Sequence, residues 1–163
     1  KVAYLWEPPN PMTKKFGEEV RKAADTLGIE LISLPLTSGV DIGPAFTIAE
    51  KEKVMGVLVE AGGIAVRFGG TIVDECLVRN LPGMHAWPFE VHIGALIAYG
   101  PAAPENFQRA ATYVDRILKG TKIAELPFEE PTQIRLAINL RTARSINISI
   151  PASLLARADE IIE

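Results

Sequence analysis

A single cysteine, Cys76, in 163 residues leaves no partner for an internal disulfide. It sits among apolar neighbours in "TIVDECLV" and reads as a small core residue. Histidine is nearly as scarce. His85 and His92 are the only two, with no companion at metal-ligand spacing, so no metal is expected and each reads as structural. Basic runs are missing and the net charge is -3, which removes the electrostatic footprint of a nucleic-acid binder. No apolar run approaches the length that spans a bilayer. The chain also lacks a GxSxG elbow, a GxGxxG turn and a P-loop, and its cysteine has no evident base. No enzyme and no cofactor are therefore expected.

What is present is an alternation of short apolar runs with amphipathic stretches. Hydrophobic residues make up 48% and charged residues 23%, the balance of a soluble globular protein, and the length suits one ordinary domain. Val2 to Leu5 reads as a buried strand closed by "WEPPN". Asn10 is a suitable N-cap, with Pro11 at the first helical position. Phe16, Val20, Ala23, Ala24 and Leu27 share one face of the helix that follows, and Gly28 ends it. "IELISL" is a second strand, and Asp41 is placed to cap a short helix through Phe46 and Ala49. "VMGVLV" is a third strand, apolar throughout as in a sheet covered on both faces. A helix is predicted from about Arg67 to Val78, then strands at "GMHAW" and "ALIAYG". The amphipathic helix "NFQRAATYVDRILKG" comes next, then a connector, a strand "IRLAINL", a short helix "RTARSI", and a last helix opened by Pro151 and running to the end. The pattern argues for an α/β fold with a doubly wound parallel sheet.

In such a sheet, ligands bind beyond the carboxyl ends of the strands. The loops leaving those ends carry Trp6, Glu7, Pro9 and Asn10, then Glu60, Ala61, Gly62 and Gly63, then Trp87, Phe89 and Glu90. The helix starting at Pro11 turns its free N–H groups to the same edge, where they favour an anion. The set suits a small ligand with a flat or apolar body, an ammonium and a carboxylate. Each residue also has a plainer reading, the tryptophans as rim packing and the glutamates as solvated loop charges.

The last third, "IGALIAYGP" and "RAATYVDRILKGTKIAELPFEEPTQIRLAINLRTARSINISIPASLLARADEIIE", resembles the end of an ABC transporter substrate-binding protein. Its glycine-ended helix, Leu-Pro step, Pro-Thr before the last strand and closing "IPASLLARADEIIE" carry the likeness. "KVAYLWEPPNP" resembles the opening of that family's second lobe, and the middle, from about Thr37 to Val91, fits in order and spacing. Two stretches depart from the pattern. Pro88 and Phe89–Glu90 stand where relatives often carry an Arg-Glu pair, and "AGGIAVRFGG" is unusual.

The resemblance implies one lobe of a two-lobed, periplasmic-binding-protein-like I fold. Residues 1–163 would be the second lobe, with 1–99 and 132–163 as its core. Residues 100–131 would hold the hinge crossings, at Gly100–Pro101 and Leu126–Pro127, and a helix packed on the other lobe. It implies a solute receptor that captures a small molecule, in relatives often an amino acid, aromatic ones included. The receptor would deliver its ligand to a membrane permease and make or break no bond. It implies a periplasmic location. The start at "KVAYLW", without an initiator Met, reads as a processed or cut chain lacking the signal and the first lobe. Carried over, the strand-end residues become one wall of a cleft. Two alternatives remain: a sensor domain reporting a ligand to a signalling partner, and a flavodoxin-like or Rossmann-like enzyme domain. The latter needs a phosphate-binding glycine turn or a catalytic pair that the sequence does not supply.

Phe107, Ala110, Ala111, Val114, Ile117 and Leu118 form an apolar stripe on the helix of residues 106–119. With the other lobe absent, that stripe must fold back on this domain, be exchanged, or lie exposed. A homodimer through the Asn106–Lys119 helix is expected.

Overall fold

The computed structural model describes residues 1–8, 11–129 and 133–163. Seven strands form one sheet in the order β2-β1-β3-β4-β5-β6-β7. They are β1 (Val2–Trp6), β2 (Leu31–Pro35), β3 (Val57–Val59), β4 (Gly83–His85), β5 (Ile97–Pro101), β6 (Ile134–Asn139) and β7 (Glu160–Ile162). All neighbours are parallel except β5 and β6, which run antiparallel. The doubly wound α/β expectation holds, with that one reversal. The third strand is shorter than the apolar run "VMGVLV" suggests.

Helices cover the sheet from both sides. Ala3, Leu5, Val57 and Val59 face α2 (Ile42–Lys51) and α3 (Gly63–Val78), and pack with Ile42, Phe46, Ile64, Ile72 and Cys76 in the main core. Cys76 is thus the buried residue its neighbours suggested. Tyr4, alternating with them, points to the opposite face and meets α1 (Pro11–Leu27), where Gly17 lies against its ring and hydroxyl.

That contact corrects the predicted face of α1. Thr13, Gly17 and Ala24 are buried and Val20 half-buried, whereas Phe16, Ala23 and Leu27 are exposed. A helix lying close over a tyrosine presents its small residues, which turns the Phe16 ridge outward.

Three other differences follow from contacts that the hydrophobic pattern does not register. First, α3 begins at Gly63, four residues before the predicted Arg67, and bends at Phe68, whose φ of -119° and ψ of 19° are not helical. Second, Asp41 precedes α2 but does not cap it with its side chain. Its carboxylate instead accepts from the amides of Thr37 and Ser38 and the Thr37 hydroxyl, which hold it below the ordinary carboxylate range. Third, the predicted last helix is only α6 (Ala152–Leu155), after which the chain becomes β7. Asp159 decides this. Its amide donates to the Leu136 carbonyl at 2.8 Å, and its carboxylate accepts from the Leu136 amide at 2.7 Å. Those bonds draw "EII" alongside β6, where Ile161 pairs with Ile138. The short helix α5 (Leu140–Ser145) stands where predicted, capped by the Asn139 side chain on the Thr142 amide.

The helix α4 (Ala103–Leu118) follows β5 but does not cover the sheet. Every residue of its apolar stripe is exposed, from Ile117 at 40% to Leu118 at 82% among its large members. Among the described residues no helix is long and apolar enough to cross a membrane.

One glycine sets how tightly β4 and β5 meet. A Cβ on Gly100 would stand 1.8 Å from the Ala86 carbonyl oxygen. Gly100→Ala is expected to lower stability by about 3 kcal/mol, at the upper end of overpacking costs. Gly70→Ala, in open space on α3, should raise it by about 0.5 kcal/mol. Urea denaturation of the two variants checks both signs.

Candidate ligand site at the carboxyl edge of the sheet

Parallel register brings three of the predicted loops together. Leu5 pairs with Val59, and Leu58 with Met84, so the chain leaves β1, β3 and β4 side by side. Pro9 and Asn10 lie outside the described residues. The other candidates occupy five different settings.

Trp6 leans toward the outer strand. Its indole N–H donates to the Ser33 hydroxyl of β2 at 2.9 Å, which ties the ring to the side away from β4.

Glu7 turns to the start of α3. Its carboxylate accepts from the Ile64 amide at 3.3 Å. A Cβ on Gly62 would come within 2.9 Å of its Oε2, so the glycine leaves the room that the carboxylate fills. A negative charge at a helix start contributes about 0.3–1 kcal/mol. The Glu7 carbonyl accepts from the Thr13 hydroxyl at 2.7 Å, which adds α1 to the same junction. Gly62 and Gly63 serve as the cradle of this contact.

Glu60 is 8% exposed, and neither carboxylate oxygen has an aligned hydrogen-bond partner among the described residues. Its amide donates to the Leu5 carbonyl at 3.0 Å, which fixes the residue in the sheet. Burial pushes its carboxyl up, with a smaller contribution from the Glu7 charge, while the nearby Tyr4 hydroxyl and Glu7 amide offset part of the rise. The Tyr4 phenol is pushed up in turn, by burial first and the Glu60 charge second. Tyr4 and Glu60 therefore approach each other without a well-formed bond. Leu5, Trp6, Glu7, Glu60, Gly62 and Ile64 line an open depression there with a cavity volume of only about 10 Å³, far below the about 300–1,000 Å³ that encloses a small molecule.

Trp87 and Phe89 form an aromatic ledge after β4. Their rings are stacked with centroids 6.3 Å apart and planes at 26°. Phe89 is exposed, while the half-buried Trp87 holds its indole N–H inside with no acceptor among the described residues.

Glu90 does not join them. It is 1% exposed and points beneath α3, its carboxylate 3.3 Å from His85 Nδ1 and against Gly69, where a Cβ would meet it at 2.7 Å. The cause is the 3-10 turn Pro88–Ile93, which rotates Glu90 inward as it leaves the strand. His85 is equally buried on β4, and His92 is a surface residue paired with Glu160 at 2.9 Å. Among the described residues no group of three His, Cys, Asp or Glu could hold a metal ion.

Tyr4 is the participant that sequence reasoning missed. Its signal was its place two residues before Trp6, on the same strand face, but its partner Glu60 appears only once β1 and β3 pair.

A family model described as ABC transporter substrate binding protein matches residues 1–162. The chain belongs to the ABC transporter substrate-binding protein family. No curated protein sequence matches it. Among solved structures, an ABC domain from Streptococcus pneumoniae in complex with L-Trp shares the fold at a TM-score of 0.87 and 21% identity, over 99% of this chain and 54% of that one. A conserved domain protein from Vibrio cholerae is similar at 0.87 and 21%, over 98% of this chain and 54% of that one. A substrate-binding protein with adhesive properties from Clostridium difficile, in a ligand-free open form, reaches 0.70 at 12% identity, over 99% and 54%. At these identities the likeness is one of fold. This member of the substrate-binding family spans about half the length of the structures it matches.

A pH dependence follows from Glu60. Its folded-state pKa lies above the ordinary value of 4.5. The folded protein thus holds the proton more tightly than the unfolded chain. The stability this adds is present below the unfolded value and is lost as pH rises through the folded one. Glu60→Gln removes that loss. Its denaturation midpoint is expected to match the parent's at about pH 4 and exceed it by about pH 8. A parent more stable than the variant at the higher pH contradicts the assignment.

Proposed function

We propose that this chain is one ligand-binding lobe of a two-lobed receptor that captures a small molecule between its lobes for delivery to an ABC permease outside the cytoplasmic membrane. The observation that carries the reading is the pairing of an incomplete site with an uncovered helix. The edge pocket gathers carboxylates beside an aromatic ledge yet encloses too little space for a ligand by itself. The stripe on α4 is exposed along its length. Both are what remains when one wall of a cleft is taken alone.

The segment 100–131 would then be the connection between lobes. It leaves through Gly100–Pro101 and returns through Leu126–Pro127. Within it the Tyr113 hydroxyl donates to the Pro127 carbonyl at 2.7 Å, and Arg109 pairs with Glu129, so α4 is tied to the segment that follows it. Closure about these crossings would bring a second wall over the ledge. The Trp87–Phe89 pair supports a ligand with an aromatic or apolar body. That a protein of this fold from Streptococcus pneumoniae is found with L-Trp agrees with this choice.

The receptor with both lobes is expected to show a rise in thermal midpoint with a member of a library of amino acids and aromatic acids, since a ligand at about 100 times its Kd adds about 2.7 kcal/mol. Trp87→Ala should weaken that ligand about tenfold to a hundredfold, or about 1.4–2.8 kcal/mol. The lobe alone should bind far more weakly. No shift across the library, or equal affinity for lobe and whole, would sink the reading.

The α4 stripe yields a second expectation. Prepared alone, the lobe should pair with itself through Phe107, Val114 and Leu118, giving a dimer in light scattering that Leu118→Glu disperses. A monodisperse monomer of the parent lobe contradicts it.

A further inference from the structure

Resting on that receptor reading, we infer that this lobe holds the cationic end of the ligand, with Glu60 as the acceptor of an ammonium whose flat or apolar body lies on the Trp87–Phe89 ledge.

The first step concerns where an anion would go. A helix start at a sheet edge ordinarily draws a ligand's carboxylate or phosphate. Of the two helix starts on this edge, that of α1 adjoins Pro9 and Asn10, outside the described residues, and that of α3 is already occupied, because the Glu7 carboxylate takes the Ile64 amide at 3.3 Å and fills the space beside Gly62. A ligand anion at that position would displace Glu7 or face its charge at contact distance.

The second step concerns what Glu60 lacks. A carboxylate withdrawn from water is costly unless paired. Glu60 is 8% exposed, both oxygens lack an aligned partner among the described residues, and the Tyr4 hydroxyl beside it is equally unbonded. Among the described residues the charge acting on it is that of Glu7, of the same sign, and Arg21, the basic group of this corner, acts on the Tyr4 phenol instead. An arriving ammonium has three donors. It can meet the two Glu60 oxygens and the Tyr4 oxygen together, and Tyr4 Oη is a neutral acceptor that tolerates it. Glu7, by contrast, already has a structural partner and is left out of the assignment. Glu90 is sealed beneath α3.

The third step places the body. β3 and β4 are adjacent and in register, Leu58 beside Met84, so the chain after Val59 and the chain after His85 emerge as neighbours. Trp87 is the third residue beyond Met84 and Glu60 the second beyond Leu58. A ligand held at Glu60 therefore reaches the ledge within the length of one small molecule. The buried Trp87 N–H, with no acceptor among the described residues, is a further polar group on this strand end. The ligand class is a primary amine on an aromatic or aliphatic body, amino acids included. Acids without an amine are excluded.

The test uses the receptor with both lobes and matched triplets: L-tryptophan, tryptamine and indole propionate; L-phenylalanine, phenethylamine and phenylpropionate; L-leucine, isoamylamine and isocaproate. Thermal shift selects the binding triplet and calorimetry measures it. Within that triplet the amine-bearing members should bind at least about thirtyfold more tightly than the acid lacking the amine, about 2 kcal/mol at 1.4 kcal/mol per tenfold. Glu60→Gln should remove that preference, with an unliganded thermal midpoint not below the parent's. Glu7→Gln should keep it. An acid without an amine binding as well as its amine-bearing partner overturns the inference and leaves the receptor reading intact. So does a Glu60→Gln receptor with unchanged preference, or a Glu7→Gln receptor that loses it. No binding by any triplet refutes the receptor reading and this inference with it.

Discussion

The carboxylate of Glu7 at the first turn of α3 is the contact on which the edge of this sheet depends. It joins the loop after β1 to the helix after β3, across 57 residues of chain. Through the Thr13 hydroxyl on its carbonyl it also anchors α1. With this contact in place, α3 begins at Gly63 rather than further along. The pocket between β1 and β3 is then bounded by a charge that has a partner, and Glu60 becomes the one acid of the pocket without one. Two glutamates that look interchangeable in sequence thus differ in kind. One satisfies helix amides, and the other carries an electrostatic cost that a proton or an incoming cation relieves.

The aromatic ledge depends on close approach from beneath. Gly100 lets the Ala86 carbonyl come against β5, and Gly69 lets the Glu90 carboxylate lie under the bend in α3. Side chains at either position would push residues 86–90 outward. The His85–Glu90 pair, both 1% exposed, sits directly below Trp87 in the chain and couples the strand end to α3. Glu90 is better understood as support for the ledge than as part of its surface. The non-helical φ and ψ at Phe68 belong to the same arrangement, since the helix bends where it passes over that buried carboxylate.

These features were legible to different degrees in the sequence, for physical reasons. Strand cores were plain because their apolar runs are bounded by turn residues. β1, β2, β4, β5 and β6 stand where their runs predict. The end of the chain was misread because "ARADEIIE" is compatible with a helix by propensity, and the bonds from Asp159 to Leu136 override it. The face of α1 was misread because two overlapping stripes exist, and the one with smaller residues fits over Tyr4. Site residues on the three strand ends were found by topology alone, since any parallel sheet gathers its carboxyl-end loops. Their directions were not. The inward turn of Glu90 comes from a 3-10 turn, the lean of Trp6 from Ser33, and the pairing of Tyr4 with Glu60 from strand register. Ser33 and Glu60 are remote in sequence from their partners, and the turn at Pro88–Ile93, although local, leaves no mark in the apolar spacing.

Helix α4 poses the remaining energetic question. A helix of 16 residues is marginal in water by itself, because nucleation must be offset by packing. α4 buries none of its apolar stripe on this sheet, and the ties that hold it, Tyr113 to Pro127 and Arg109 to Glu129, lie within its own excursion. Burying a Phe or Leu fully yields about 1.5–3 kcal/mol each, so a surface covering Phe107, Val114, Ile117 and Leu118 would change α4 from marginal to firmly held. On the proposed reading that surface is the other lobe. The order of α4 and the joining of the lobes are then one equilibrium, with the hinge residues at either end of the segment. Such a lobe would bind weakly alone for two separate reasons. Half the ligand's contacts are missing, and the segment that should brace the hinge has nothing to lean on. Only the first concerns the pocket. A covering surface for α4 that leaves the edge open would stiffen the connection without supplying a ligand contact, which separates the two contributions physically.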